Sequence, residues 1–123
     1  MTHDRDLAEA WVERYVRAWT TNDPTDIGAL FTDDAVYRPT PMSPGWHGRD
    51  AIVATWLARK DAPGIWSFES EVLGVDGDLA VIRGVTTYTA PPGPGTFENL
   101  WLVRLDGSGR ATAFTEYWMQ HPA

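Results

Sequence analysis

The chain predicts an α+β fold, with helices first and antiparallel strands after. Three observations carry that prediction. Apolar residues recur at helical spacing near the start. Strand-like runs fill the second half. Two Asp-Gly turns, Asp76-Gly77-Asp78 and Asp106-Gly107-Ser108-Gly109, separate those runs as hairpins would.

Leu7, Trp11, Tyr15 and Trp19 fall four residues apart, which puts them on one face of an amphipathic helix and turns Glu13, Arg14 and Arg17 elsewhere. Asp4 or Asp6 suits its cap, and the run Thr20 to Pro24 ends it. Asp23 followed by Pro24 then starts a short second helix with Ile27, Leu30 and Phe31 inward, closed by Asp33-Asp34. Ala35 to Arg38 reads as a strand. Pro39 to Gly48, rich in Pro and Gly and containing Trp46 and His47, reads as a loop of lid character. Arg49 or Asp50 opens a third helix that buries Ile52, Val53, Trp56 and Leu57, and Pro63-Gly64 stops it. Four strands follow, about Ile65–Val75, Leu79–Ala90, Phe97–Leu105 and Arg110–Met119, with a longer connection at Pro91 to Gly95.

Length and charge bound the rest. The 123 residues suit one domain, 1–123, with no repeat or linker. No apolar run is long enough for a membrane span, and the polar start lacks the apolar core of an export signal, so a cytoplasmic home is the default. The net charge of −7 argues against nucleic acid and anionic membranes as partners. Cysteine is absent, which excludes disulfides and thiolate chemistry.

Strand parity isolates the sharpest chemical signal. In the last strand Phe114, Glu116 and Trp118 share one face, with Ala111, Ala113, Tyr117 and Met119 on the other. In the strand before it, Asn99, Trp101, Val103 and Leu105 oppose Leu100 and Leu102. A sheet apolar on both faces needs cover on both. Helices cover one, so a second copy of the chain is expected on the outer face as a homodimer. A carboxylate among aromatic rings, if buried, gains proton affinity because desolvation disfavours its charged form. Glu116 is therefore the leading acid/base, with a structural ion pair or hydrogen-bonded carboxylate as the alternative.

The run Tyr15-Val16-x-Ala18-Trp19, then Asn22-Asp23, Leu30 to Tyr37, Asn99-Leu100-Trp101, Asp106-Gly107-x-Gly109-Arg110 and Glu116-Tyr117-Trp118 resembles the nuclear transport factor 2-like superfamily, and within it the SnoaL-like proteins. The resemblance implies a cone of helices packed on a curved, mostly antiparallel sheet around an apolar pocket, usually in a dimer. It implies cofactor-independent isomerase, cyclase or lyase (dehydratase) chemistry, although the fold also serves epoxide hydrolases and non-catalytic binders. Laid on ketosteroid isomerase, the chain keeps the helix-one tyrosine at Tyr15 and the pocket tryptophan at Trp118. It has Pro39 where the base aspartate would stand and Trp101 where the protonated aspartate would stand, so steroid isomerisation is not expected. The arginine flanked by aspartates of limonene epoxide hydrolases is not visible in the third or fourth strand.

The expected acid/base set is Glu116 with Tyr15, Asn99 and His47. Tyr15 and Asn99 would hold a substrate oxygen, or Asn99 would hold Glu116 itself. Tyr15 reads equally as a core tyrosine, and His47 equally as a solvated loop histidine. The expected walls are Trp19, Trp56, Phe68, Tyr88, Trp101, Phe114 and Trp118. Arg38 would receive an anionic group or pair with Glu116. No pair of histidines or carboxylates has ligand spacing, so no metal is expected, and the Gly-rich segments lack nucleotide-binding patterns. The expected ligand is a small apolar molecule bearing a carbonyl or hydroxyl, taken by an enzyme without a cofactor. A non-catalytic ligand-binding or dimerisation domain is the alternative.

Overall fold

The structure is a computed structural model that describes residues 4–89 and 95–122. Its elements run α1 (Asp4–Thr21), α2 (Pro24–Gly28), β1 (Phe31–Arg38), β2 (Trp46–His47), α3 (Arg49–Ala58), β3 (Trp66–Asp76), β4 (Leu79–Tyr88), β5 (Gly95–Leu105) and β6 (Ala111–Gln120). The strands form one sheet in the order β2-β1-β6-β5-β4-β3. All neighbours are antiparallel except β1 and β6, which run parallel. The end of the expected strand at Ala90 and residues 91–94 of the expected Pro-rich connection lie outside the described residues, and Gly95, expected in that connection, opens β5 instead.

The four-residue spacing in α1 does what it predicts. Trp11 and Tyr15 are buried against Phe31, Trp101 and Phe114, and Trp19 lies partly buried beside them. Asp23 caps α2 through its side chain, which accepts from the Thr25 N–H at 2.8 Å, and Pro24 fills the first turn.

Two sequence expectations are corrected. Phe31 does not extend α2. It opens β1, and Asp33 and Asp34 sit exposed within that strand rather than closing a helix. The cause is tertiary: the Leu30 carbonyl accepts from the Trp11 indole at 3.0 Å and from the Ala111 N–H at 2.7 Å, which draws the next residue alongside β6. Ala111 is also buried, not outward, because the β5–β6 register skips Thr112. That irregularity lets Ala111 and Phe114 both face the core, and outward alternation resumes only beyond it.

The core lies between the helices and the concave face of the sheet, and aromatic rings fill much of it. Leu30, Ile27, Ile52, Ile82 and Val103 complete it. No described helix is long and apolar enough to cross a membrane.

Candidate active site

Between α1, α3 and the sheet lies a cavity of about 160 Å³, walled by Tyr15, Trp19, Tyr37, Trp46, Trp56, Tyr88 and Trp101, with Thr86, Asn99, Asp61 and Glu116 as polar members and Arg59 and Lys60 at its mouth. A cavity of this size matches a benzene-sized occupant.

Glu116 stands in β6 directly opposite Trp101 of β5. The Asn99 amide donates to its Oε2 at 2.5 Å and the Trp101 indole to the same oxygen at 3.1 Å. Asn99 is itself fixed, because its Oδ1 accepts from the Thr86 hydroxyl at 2.8 Å. Oε1 accepts no hydrogen bond from the described residues. Burial pushes the Glu116 carboxyl above the usual carboxylate range, and the two donors on Oε2 oppose that shift without cancelling it. No described salt bridge reaches Glu116, so the expected pairing with Arg38 is absent among the described residues.

Tyr15 and Tyr37 face one another, hydroxyl to hydroxyl, at 2.8 Å. One donates to the other, which leaves a single O–H from the pair. Burial raises the pKa of both well above the ordinary tyrosine value. Tyr88 is raised as well, first by burial and then by the charge of Asp61 and its hydrogen bond to that carboxylate. Glu116 adds to the same shift, so Tyr88 feels both acids of the cavity.

The placements of the remaining sequence candidates divide cleanly. Trp19, Trp56, Tyr88 and Trp101 line the cavity with Tyr15, Asn99 and Glu116. Phe68 does not line it. It stacks on Trp101 at 4.9 Å and 13°, one layer behind. Phe114 is fully buried beneath Tyr15 and Tyr37, stacked at 5.6 and 4.5 Å. Arg38 points away, because the alternation that turns Tyr37 inward turns it outward. His47 is exposed, its Nε2 at 2.7 Å from the Pro44 carbonyl, because β2 turns Trp46 inward instead. Trp118 is 51% exposed and packs edge-on against Phe97. β1 pairs with β6 no further than Thr115, so Trp118 lies where β6 has no strand neighbour on that side.

Six lining residues lay outside the predicted site set: Tyr37, Trp46, Arg59, Lys60, Asp61 and Thr86. Tyr37 and Trp46 stack at 4.4 Å and 4°, and the Arg59 guanidinium lies 5.8 Å from the Trp46 ring centre. Asp61 is the second acid. Its Oδ2 accepts from the Trp19 indole at 3.0 Å and the Tyr88 hydroxyl at 3.1 Å. Asn22 places it. This residue ends α1 in the left-handed conformation, φ 50°, where asparagine is tolerated. Its amide donates to the Asp61 carbonyl at 3.1 Å and its Oδ1 accepts from the Trp56 indole at 3.0 Å. An Asn-Asp pair after a helix was the one available signal for this role. Among the described residues no cluster of acids and histidines could hold a metal ion.

The sequence matches the SnoaL-like domain over residues 12–117. The chain belongs to the SnoaL-like family. No curated protein matches it. Solved structures share the fold of this SnoaL-like protein. A ketosteroid isomerase-like protein from Erwinia carotovora atroseptica is 22% identical, with TM-score 0.69, over 99% of this chain and 100% of that one. An LEH-like epoxide hydrolase from M. tuberculosis is 21% identical, with TM-score 0.71, over 95% of this chain and 86% of that one. A Catenulispora acidiphila protein with a ketosteroid isomerase-like fold, solved in complex with trimethylamine, is 25% identical, with TM-score 0.65, over 87% and 83%.

Proposed function

We propose that this SnoaL-like protein is an enzyme that moves protons on a small molecule without a cofactor, as an isomerase, cyclase or dehydratase does, with Glu116 as its acid and base. One observation carries the reading: a buried carboxyl is held by Asn99 and Trp101 through one oxygen, and its other oxygen is left unbonded in a ring-walled cavity. A carboxyl whose proton affinity is raised works nearer neutral pH both as donor and as acceptor. In an isomerisation, Glu116 would take a proton from the carbon beside a carbonyl. The O–H left over from the Tyr15–Tyr37 pair would meet the oxygen on which charge develops. Glu116 would then return the proton to another carbon. The three steps conserve atoms and electrons.

The test needs no prior substrate. Small cyclic ketones in D₂O, followed by NMR, report enolisation as exchange at the carbon beside the carbonyl. The wild-type chain should accelerate exchange of at least one of them. Glu116→Gln keeps acceptors for Asn99 and Trp101 and should lose about 10²- to 10⁴-fold in rate. A folded Glu116→Gln variant that exchanges at the wild-type rate overturns the assignment.

The outer face of the sheet supports a homodimer in the same reading. Leu100, Tyr117 and Met119 line an apolar groove there with Met42, and Met119 is 72% and Met42 87% exposed. Met119→Glu should shift the molecular mass in light scattering at micromolar concentration from two chains to one. A wild-type chain already monomeric in that range removes the dimer.

A further inference from the structure

We infer that the molecule this cavity takes carries a protonated amine, seated between Asp61 and Glu116 against the surrounding rings. The inference rests on the proposal that the cavity is a small-molecule site, and names the chemical class of its occupant.

The hydrogen-bond inventory of the cavity points there. Its donors are largely engaged: the indoles of Trp19 and Trp101 and the hydroxyl of Tyr88 donate to carboxylates, the Trp56 indole donates to Asn22, and the Thr86 hydroxyl donates to Asn99. Both carboxylates use a single oxygen for this. Oδ1 of Asp61 and Oε1 of Glu116 accept nothing from the described residues. The unmatched acid oxygens therefore call for a ligand that brings N–H donors and positive charge. Neutral donors remain as well, one O–H of the Tyr15–Tyr37 pair and the second amide hydrogen of Asn99, and they suit an oxygen elsewhere on the same ligand.

The walls agree with the acids. Six of the lining residues are tyrosine or tryptophan besides Tyr15, and ring faces attract cations, most strongly where water is excluded. The Arg59 guanidinium over the Trp46 ring shows that attraction at the mouth of the same cavity. Arg59 and Lys60 are exposed, so water screens them, and neither forms a described ion pair with Asp61 or Glu116. Burial without a cation raises the proton affinity of Glu116, and an entering ammonium supplies that cation.

Benzylammonium, benzyl alcohol and benzoate separate the alternatives, since they share a ring that suits a cavity of about 160 Å³ and differ in charge. Calorimetric titration of the full chain near neutral pH should find benzylammonium binding about tenfold or more tighter than benzyl alcohol, and benzoate weakest. Binding should tighten as pH rises through the titration of Glu116, with a proton released to buffer. Asp61→Asn, which keeps an oxygen acceptor for Trp19 and Tyr88, should weaken benzylammonium about tenfold and leave benzyl alcohol unchanged. Equal or tighter binding of the alcohol, a preference for benzoate, or no binding of benzylammonium overturns the inference. Ketone exchange that survives while benzylammonium fails to bind leaves the proton-transfer reading standing and removes only the amine. Benzylammonium binding without any ketone exchange does the reverse.

Discussion

Replacing Trp101 with Phe tests the account of Glu116 most directly. The substitution removes the indole N–H that reaches Glu116 Oε2 at 3.1 Å and keeps a ring to stack on Phe68. A hydrogen bond to a charged group contributes about 1.5–3 kcal/mol. Because that donor favours the charged form, losing it should raise the Glu116 pKa further. The sign then fixes the effect on stability. A carboxyl that holds its proton more tightly when folded favours folding at low pH, and stability falls as pH rises from the unfolded pKa, about 4.3, to the folded one. Below about pH 3.5 the variant should therefore show only the pH-independent cost of the smaller ring. Above the raised pKa it should lose an additional 1.5–3 kcal/mol or so. Urea unfolding across pH measures the difference directly, and a carboxyl NMR titration of Glu116 checks its cause. A stability difference between wild type and variant that is constant with pH, or a Glu116 pKa that falls, refutes the reasoning.

Gly84→Ala should destabilise the protein by about 1–3 kcal/mol in denaturant unfolding, because a Cβ at that position collides with the Phe68 ring. Adding Phe68→Leu should recover part of the loss, whereas simple additivity would count against the clash. In alkaline spectrophotometric titration, Tyr15, Tyr37 and Tyr88 of the four tyrosines should remain un-ionised at about pH 11, a unit above the ordinary value. Because those raised values exceed the unfolded ones, stability should fall as pH climbs past about 10, and ionisation should coincide with unfolding. Early ionisation of all four in the folded chain would contradict the closed packing of the Tyr15–Tyr37 pair.

What was readable from the residues was local. The spacing of Trp11 and Tyr15, the Asp23-Pro24 start and the Asp-Gly turns each act within a few positions, and each appears where expected. The parity of Asn99, Trp101 and Glu116 also placed the acid beside its partners, because those strands pair in regular register. The failures were non-local. Nothing in Leu30-Phe31 says that the chain will be caught by Ala111, eighty positions on, and pulled from helix to parallel strand. Parity misled at Ala111 because the skip at Thr112 leaves no mark in composition. It misled at Trp118 in another way: the residue keeps its side of the sheet but lies beyond the part of β6 that β1 pairs. Asp61 has no periodicity at all and is held in the cavity by Asn22, 39 positions earlier, and by the distant Trp19 and Tyr88.

The same non-local build explains why a buried acid persists here. Isolated inside a protein, a carboxyl without a cation costs stability, and that cost is normally removed by pairing or by substitution with an apolar residue. Around Glu116 the structure does neither. It stacks Gly84, Phe68 and Trp101 in successive layers so that the indole is held against Oε2, and it uses Thr86 to aim Asn99 at the same oxygen. Both supports lower the cost of the charged form without abolishing it. An arrangement selected only for stability would have no use for leaving Oε1 unbonded in a cavity. One that exchanges a proton with a guest, as proposed for Glu116, would require it: the donors fix the carboxyl in place, burial keeps its affinity high, and the free oxygen would be where the exchange takes place.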